Sequence, residues 1–336
     1  MIRVLVVEDP AGRRRLVDAL EADGDIDVVG EAGAAQEAID LAHALRPDVI
    51  TLDVQLAGGG GLYVIEQVMA FMPTPILVLS ATVAGPESDA AVSALVAGAV
   101  DALPRPTSWD ERASRSLREH VRVVKGVAVI RHVRGRIAAR REAAAKTAGP
   151  AGSSPVVAIA ASTGGPAAMA TVLEGLTGLK AIVLIVQHLH PDFVDGFVTW
   201  MARVSPLPVE RAAHGAALVP GKVYIGPGEV HLRLGPGDHV DLDPEPRTLH
   251  RPSADALFSS IADAHRPRVG VLLTGMGADG ARGLLELRKK GGFTIVQDEA
   301  TSAVYGMPAA AERLGAADRV VALDRIAAAI LRAAHA

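Results

Sequence analysis

Val156-Val157-Ala158-Ile159-Ala160-Ala161-Ser162-Thr163-Gly164-Gly165-Pro166 begins as an apolar run and ends in a turn. Val156–Ala160 has the length of a strand and no polar alternation, the pattern of a strand buried on both faces of a parallel sheet. The glycines allow tight backbone angles, and Pro166 suits the first position of a helix. Two further segments repeat this design. Ile182–Val186 runs into Gln187-His188, and Val269–Leu273 runs toward Gly275-Met276-Gly277-Ala278-Asp279-Gly280. Open α/β sheets place their sites at the carboxyl ends of strands. Ser162, His188 and Asp279 are therefore expected to converge there, as a nucleophile, a base and an orienting acid.

Each of the three has a plainer reading. A helix amino terminus presents free N–H groups and positive potential, so the Ser162 turn suits a developing oxyanion or, equally, a bound anion or nucleotide. It ends in neither Gly-Lys-Ser/Thr nor the G-x-S-x-G elbow. His188 could be a structural strand-end histidine. Asp279 could cap the helix expected at Ala281–Lys289. The Met276 N–H lies in the same loop and could face a substrate oxygen.

The chain has 336 residues, enough for two domains with their own cores. A formal charge of -4 gives no argument for nucleic-acid binding. There is no cysteine, which excludes disulfides, thiol catalysis and thiolate zinc sites. No apolar stretch approaches the roughly 20 residues needed to span a bilayer. The first residues, Met1 to Asp9, form a strand ending in acids rather than a signal peptide, and the expectation is a cytoplasmic protein without membrane insertion.

The first part alternates strands and helices: Arg3–Val7, Arg13–Asp23, Val28–Ala32, Ala35–Leu45, Val49–Leu52, Leu62–Phe71, Ile76–Leu79, Ser88–Ala97 and Ala102–Leu103. Such alternation predicts a doubly wound parallel sheet. Glu8 and Asp9 follow the first strand and Asp53 the third. Three carboxylates closing on one another repel unless a cation joins them, and oxygen-only ligands suit Mg2+. Ser80 and Arg105 stand where a hydroxyl and a cation would complete a phosphate site. The plain reading of these acids is solubilising loop residues.

From Trp109 to Lys146 the chain is basic, with Leu117, Val121, Val124 and Val127 at helical spacing. This predicts a closing helix running into a basic linker. The helix face is either solvated or meets an acidic partner. Gly149-Pro150-Ala151-Gly152-Ser153-Ser154-Pro155 marks a boundary. The domains are placed at 1–124 and 156–336, with 125–155 as linker. A second α/β alternation follows, interrupted over Val209–Asp243 by a small antiparallel insertion or edge, with Gly235-Pro236-Gly237-Asp238 as a hairpin turn. Ser253 is expected to cap the helix Ala254–Ala264, while Arg251 could instead meet an acidic partner surface.

Met1–Val124 resembles the receiver domain of two-component response regulators. The resemblance implies phosphorylation of Asp53, with Glu8, Asp9 and Asp53 holding Mg2+ and Ser80 and Arg105 supporting the phosphoryl group. Two features depart from the family: Arg105 stands where lysine is usual, and Val54-Gln55-Leu56-Ala57-Gly58-Gly59-Gly60-Gly61 replaces the usual segment after the aspartate. Val156–Leu323 resembles the catalytic domain of chemotaxis protein-glutamate methylesterases, which also deamidate glutamines. The match lies in Ile159–Gly165, Val186-Gln187-His188, Val219-Pro220-Gly221, Tyr224–Gly228, His250-Arg251-Pro252-Ser253, Leu273–Gly280 and Tyr305-Gly306-Met307-Pro308. It implies Ser162 as nucleophile, His188 as general base and acid, Asp279 as orienting acid, the Met276 amide as oxyanion donor and Thr163 as a neighbour hydrogen-bonding within the site. Catalysis then needs no cofactor. The implied partners are methylated chemoreceptor cytoplasmic domains and, as phosphodonor, a chemotaxis histidine kinase. The unphosphorylated receiver would cover the Ser162 crevice.

Two other readings compete. His188-Leu189-His190-Pro191-Asp192 looks like the start of a binuclear metal-hydrolase motif, but Phe193 stands where a histidine would follow. A receptor-binding module with a silent site would keep the architecture and lose the chemistry.

Overall fold

The structure is a computed structural model. It describes the chain apart from residues 57–59, 81–85, 128, 130–153, 249 and 335–336, and apart from the side chains of 86–89. The chain forms two compact units, 1–136 and 137–336. Most of the expected linker, 125–155, lies outside the described residues.

The first unit is a five-stranded sheet of β1 (Ile2–Val7), β2 (Ile26–Ala32), β3 (Val49–Asp53), β4 (Ile76–Ser80) and β5 (Asp101–Pro104). Its order is β2-β1-β3-β4-β5, and every pairing is parallel. The central strands are buried along their length, which explains their unbroken apolar runs. Strand order reverses between β1 and β3; Glu8 directly follows β1, and Asp53 ends β3. The first helix starts at Pro10, earlier than the sequence suggests, because proline presets the first helical position. The closing helix, Glu111–Val124, buries Leu117, Val121 and Val124 as their spacing predicts. Its basic residues are not all solvated. Arg118 is buried and bonds Asp23 at 2.8 Å and the Ala19 carbonyl at 2.8 Å.

The second unit holds β6 (Val156–Ala161), β7 (Ile182–Gln187), β8 (Val209–Arg211), β9 (Val223–Ile225), β10 (His231–Gly235), β11 (His239–Asp243), β12 (Arg268–Leu272), β13 (Phe293–Gln297) and β14 (Arg319–Val321). Seven of them form one parallel sheet ordered β14-β13-β12-β6-β7-β9-β8. Strand β6 lies at its centre. Val157, Ile159 and Ala161 enter one core, while Val156, Ala158 and Ala160 enter the other. Both faces are covered, so the sequence cannot alternate. The small antiparallel insertion expected over 209–243 is present, but occupies only part of that region. β8 and β9 extend the main sheet as parallel edge strands, and only β10 and β11 form an antiparallel hairpin. Gly237 and Asp238 turn that hairpin with φ of 66° and 60°. Among the described residues, no helix is long and apolar enough to cross a membrane.

Candidate active site

The sheet of the second unit switches direction between β6 and β12, and the loops leaving those strands meet there. The Ser162 N–H donates to the Thr274 carbonyl at 3.0 Å, tying the end of β6 to the loop after β12. The His188 N–H donates to the Ala161 carbonyl at 3.0 Å, which sets the histidine beside the same strand end. Gln187 Nε2 bonds both the Ser162 and the His188 carbonyls, at 2.9 and 3.1 Å. The backbone must come close at Gly275, where a Cβ would lie 2.7 Å from Ser162 Cβ. Gly164, with φ of +74°, makes the left-handed turn into the helix Gly165–Glu174.

His188 Nε2 lies 2.8 Å from Asp279 Oδ2. The two side chains are 9% and 10% exposed, so their attraction is little screened by water. His188 Nδ1 is buried and has no hydrogen-bond partner. It makes no hydrogen bond to Ser162 in this structure. The ring of His250 stacks on His188 at 4.3 Å with an interplanar angle of 6°.

Asp279 does not cap the helix that follows it; Gly280 does. It sits instead at the amino terminus of a different helix, Ala254–Ala262. The Ala254 and Asp255 N–H groups donate to its oxygens at 2.7 and 3.1 Å, and Ser253 Oγ donates at 2.8 Å. Burial pushes this carboxyl up. The bond and charge of His188, with the two amides, outweigh burial and hold it well below the usual carboxylate range. Ser253 also caps its own helix through the Ala256 N–H, as expected. The Ser253 N–H in turn donates to Nδ1 of the buried His231 at 3.1 Å, and His231 Nε2 meets the Pro246 carbonyl at 2.8 Å.

The remaining expected residues fall in the same place. Met276 lies in a loop that is pinned where Gly275 accepts from the Met307 N–H at 2.8 Å. Thr163 is buried and takes part through its carbonyl, which accepts from Thr274 Oγ1 at 3.0 Å. His190, considered above as a metal ligand, turns to Asp192 at 3.5 Å, while His188 turns to Asp279. Their side chains are committed to different carboxylates.

Sequence reading missed several supports. Gln297 ends β13 as Gln187 ends β7, and its Oε1 accepts from the Thr274 N–H at 2.8 Å. A polar amide closing an apolar strand was the available signal. Thr274, His231 and His250 carried no comparable signal in isolation.

The family model described as CheB methylesterase matches residues 157–330, and that of the response regulator receiver domain matches residues 4–115. The chain belongs to the CheB methylesterase family. It is 42% identical to protein-glutamate methylesterase/protein-glutamine glutaminase 3 of Anaeromyxobacter dehalogenans, covering 97% of each chain. It is 38% identical to the protein of that function in Pyrococcus abyssi, over 99% of this chain and 93% of the relative. The crystal structure of the Thermotoga maritima CheB methylesterase catalytic domain is 32% identical, with a TM-score of 0.51, covering 53% of this chain and 97% of that one. The region matching CheB methylesterase thus holds all of Ser162, His188 and Asp279.

The receiver domain carries a second acidic pocket. Glu8 and Asp53 are both buried, and Arg105 lies between them, 2.7 Å from Glu8 and 3.2 Å from Asp53. Burial and the nearby charge of Asp53 push Glu8 up to about 7, against the pull of Arg105. Burial also pushes Asp53 up, against the Gln55 N–H bonded to it at 2.8 Å. Buried oxygen donors short of positive charge suit a hard divalent cation. Among the described residues no group of three His, Cys, Asp or Glu side chains is gathered around a metal position; a guanidinium joins Glu8 to Asp53, and the charge of Asp9 reaches Asp53. Ser80 is buried at the end of β4, and its carbonyl accepts from the Arg105 N–H at 2.7 Å.

Proposed function

We propose that the chain hydrolyses glutamyl γ-methyl esters, and deamidates glutamines, on chemoreceptor cytoplasmic domains, under control of its receiver domain. The observation that carries this is the His188–Asp279 bond of 2.8 Å at the strand ends where Ser162 also stands, within the span matched by CheB methylesterase. The curated relatives named as methylesterase/glutaminase support the substrate class.

In this reading Asp279 fixes the proton of His188 on Nε2, and Nδ1 takes the Ser162 proton as Oγ attacks the ester carbonyl. Negative charge on the former carbonyl oxygen is received by the Met276 N–H. The tetrahedral adduct collapses, and methoxide leaves with the proton from Nδ1 as methanol. Water then attacks the acyl-enzyme, gives its proton to Nδ1, and releases the receptor carboxylate and Ser162. With a glutamine substrate, ammonia leaves instead. Thr163 holds the turn through its link to Thr274 and is a positioning residue. Ester hydrolysis by this route needs no cofactor.

The domains are assigned as 1–124 and 156–336 with a linker between. Asp53 is the phosphorylation site, a chemotaxis histidine kinase the phosphodonor, and Ser80 and Arg105 the support of the phosphoryl group. Glu8, Asp9 and Asp53 are the residues to hold Mg2+, which would offset charge as the phosphoryl group arrives. Receptor domain and kinase place the chain in the cytoplasm.

Methanol release from methyl-esterified receptor tests this, comparing the native chain with Ser162→Ala, with and without a small phosphodonor and Mg2+. Release lost in the variant and stimulated by phosphodonor is expected. No release from the native chain would favour a silent receptor-binding module.

A further inference from the structure

Arg105 is longer and more branched than the lysine usual in receivers, and space has to be found for it. The structure shows where. Gly12 lies in the first turn of the helix Pro10–Glu21, and a Cβ there would fall on Arg105 Nη2, with Glu8 Oε1 3.4 Å away. The guanidinium therefore runs through the space that any other residue at position 12 would fill. It uses that space to reach Glu8 with one nitrogen and Asp53 with the other, at 2.7 and 3.2 Å. An ammonium is a compact point charge, whereas the guanidinium fork can hold two carboxylates at once.

We propose that Arg105, admitted by the missing side chain at Gly12, is the resident cation of the Glu8–Asp53 pair and competes with a divalent cation for it. The carboxylates are only slightly exposed, so the charge between them decides what else can bind. A metal entering the pocket must displace two charge-assisted hydrogen bonds before it gains its own ligands. The receiver is thereby held against metal loading, and against phosphorylation that needs the metal, until the guanidinium moves. This rests on the assignment of Glu8 and Asp53 as metal ligands.

The test is calorimetric titration of Mg2+ into the full chain and into two variants, with no activity measured. Arg105→Lys removes the fork but keeps the charge. Gly12→Ala leaves every ligand in place and pushes only the far end of a flexible side chain. Both are expected to bind Mg2+ about tenfold more tightly than the native chain, equivalent to about 1.4 kcal/mol. Equal affinity of all three overturns the competition while the metal assignment stands. No Mg2+ binding by any of them overturns the metal assignment and the competition together. Circular dichroism checks folding, and if Gly12→Ala misfolds, Arg105→Lys decides.

Discussion

His188 presents Nε2 to Asp279 and keeps Nδ1 unpaired, so the nitrogen committed to the carboxylate and the one that the proposed mechanism assigns to the serine proton belong to opposite sides of one ring. An acceptor facing Nε2 fixes the tautomer that leaves Nδ1 basic. Asp279→Asn turns this around, because a carboxamide N–H directed at Nε2 makes that nitrogen accept and places the ring proton on Nδ1. The expected result is a fall in kcat of about 10,000-fold with little change in fold. Steady-state ester hydrolysis together with circular dichroism measures it. Activity within tenfold of native would remove Asp279 from the orienting role.

Ser253 supports both the acid and the helix that receives it. Ser253→Ala removes the bond to Asp279 Oδ1 and the cap to Ala256. A loss of about 1 kcal/mol in stability is expected from the cap. A drop in kcat with KM nearly unchanged is expected from a looser carboxylate, and Ser253→Thr should recover much of both. Denaturant unfolding and hydrolysis kinetics separate the two effects.

At Gly275 the loop after β12 passes close to Ser162. In Gly275→Ala the new Cβ would lie 2.7 Å from Ser162 Cβ and 3.0 Å from Ser162 N. The serine or the loop must shift by a large part of an ångström. A loss of about 100-fold in kcat is expected from misplacement of that size. Labelling by a serine-directed phosphonate should slow in parallel; unchanged labelling would mean that the site absorbs the methyl group elsewhere.

The receiver domain should be more stable in mild acid than its acidic pocket first suggests. Glu8 has an ordinary value of 4.5 and is pushed up to about 7 in the folded chain. Between those values the folded state holds a proton that the unfolded chain has released, so stability falls as pH rises through the window. The shift corresponds to roughly 3 kcal/mol at most. Glu8→Gln should flatten this slope and gain relative stability above pH 7. Urea unfolding of the full chain at pH 5 and 8, with chelator present, compares the two proteins; parallel slopes would contradict the burial of a charged Glu8.

Much of this architecture was legible because buried parallel strands announce themselves. Val156–Ala161 cannot alternate when its odd and even residues enter two separate cores. Ser162 and His188 stand out because each follows closely on such a run, and Asp279 because it lies in the Gly-rich loop after another. The partners of β8 and β9 were not legible, since three-residue edge strands carry too little pattern to distinguish a parallel partner from a hairpin one. Gln297, His231 and His250 act through contacts to residues distant in the chain, which no local spacing encodes. Arg105 was legible as a departure from lysine, but its bridge from Glu8 to Asp53 depends on the space at Gly12, a relation that appears only when the two are side by side.

Asp279 is held by amides of the helix Ala254–Ala262 and by Ser253, all of which leave the ribosome well after Ser162 and His188. A growing chain that has completed β7 already carries a nucleophile and a base, with nothing to orient either. Hydrolytic competence then arrives in one late step, when the loop after β12 docks on that helix. Arrested chains ending before residue 279 should therefore be inert toward a serine-directed probe, so esterase activity during synthesis marks the arrival of the loop after β12.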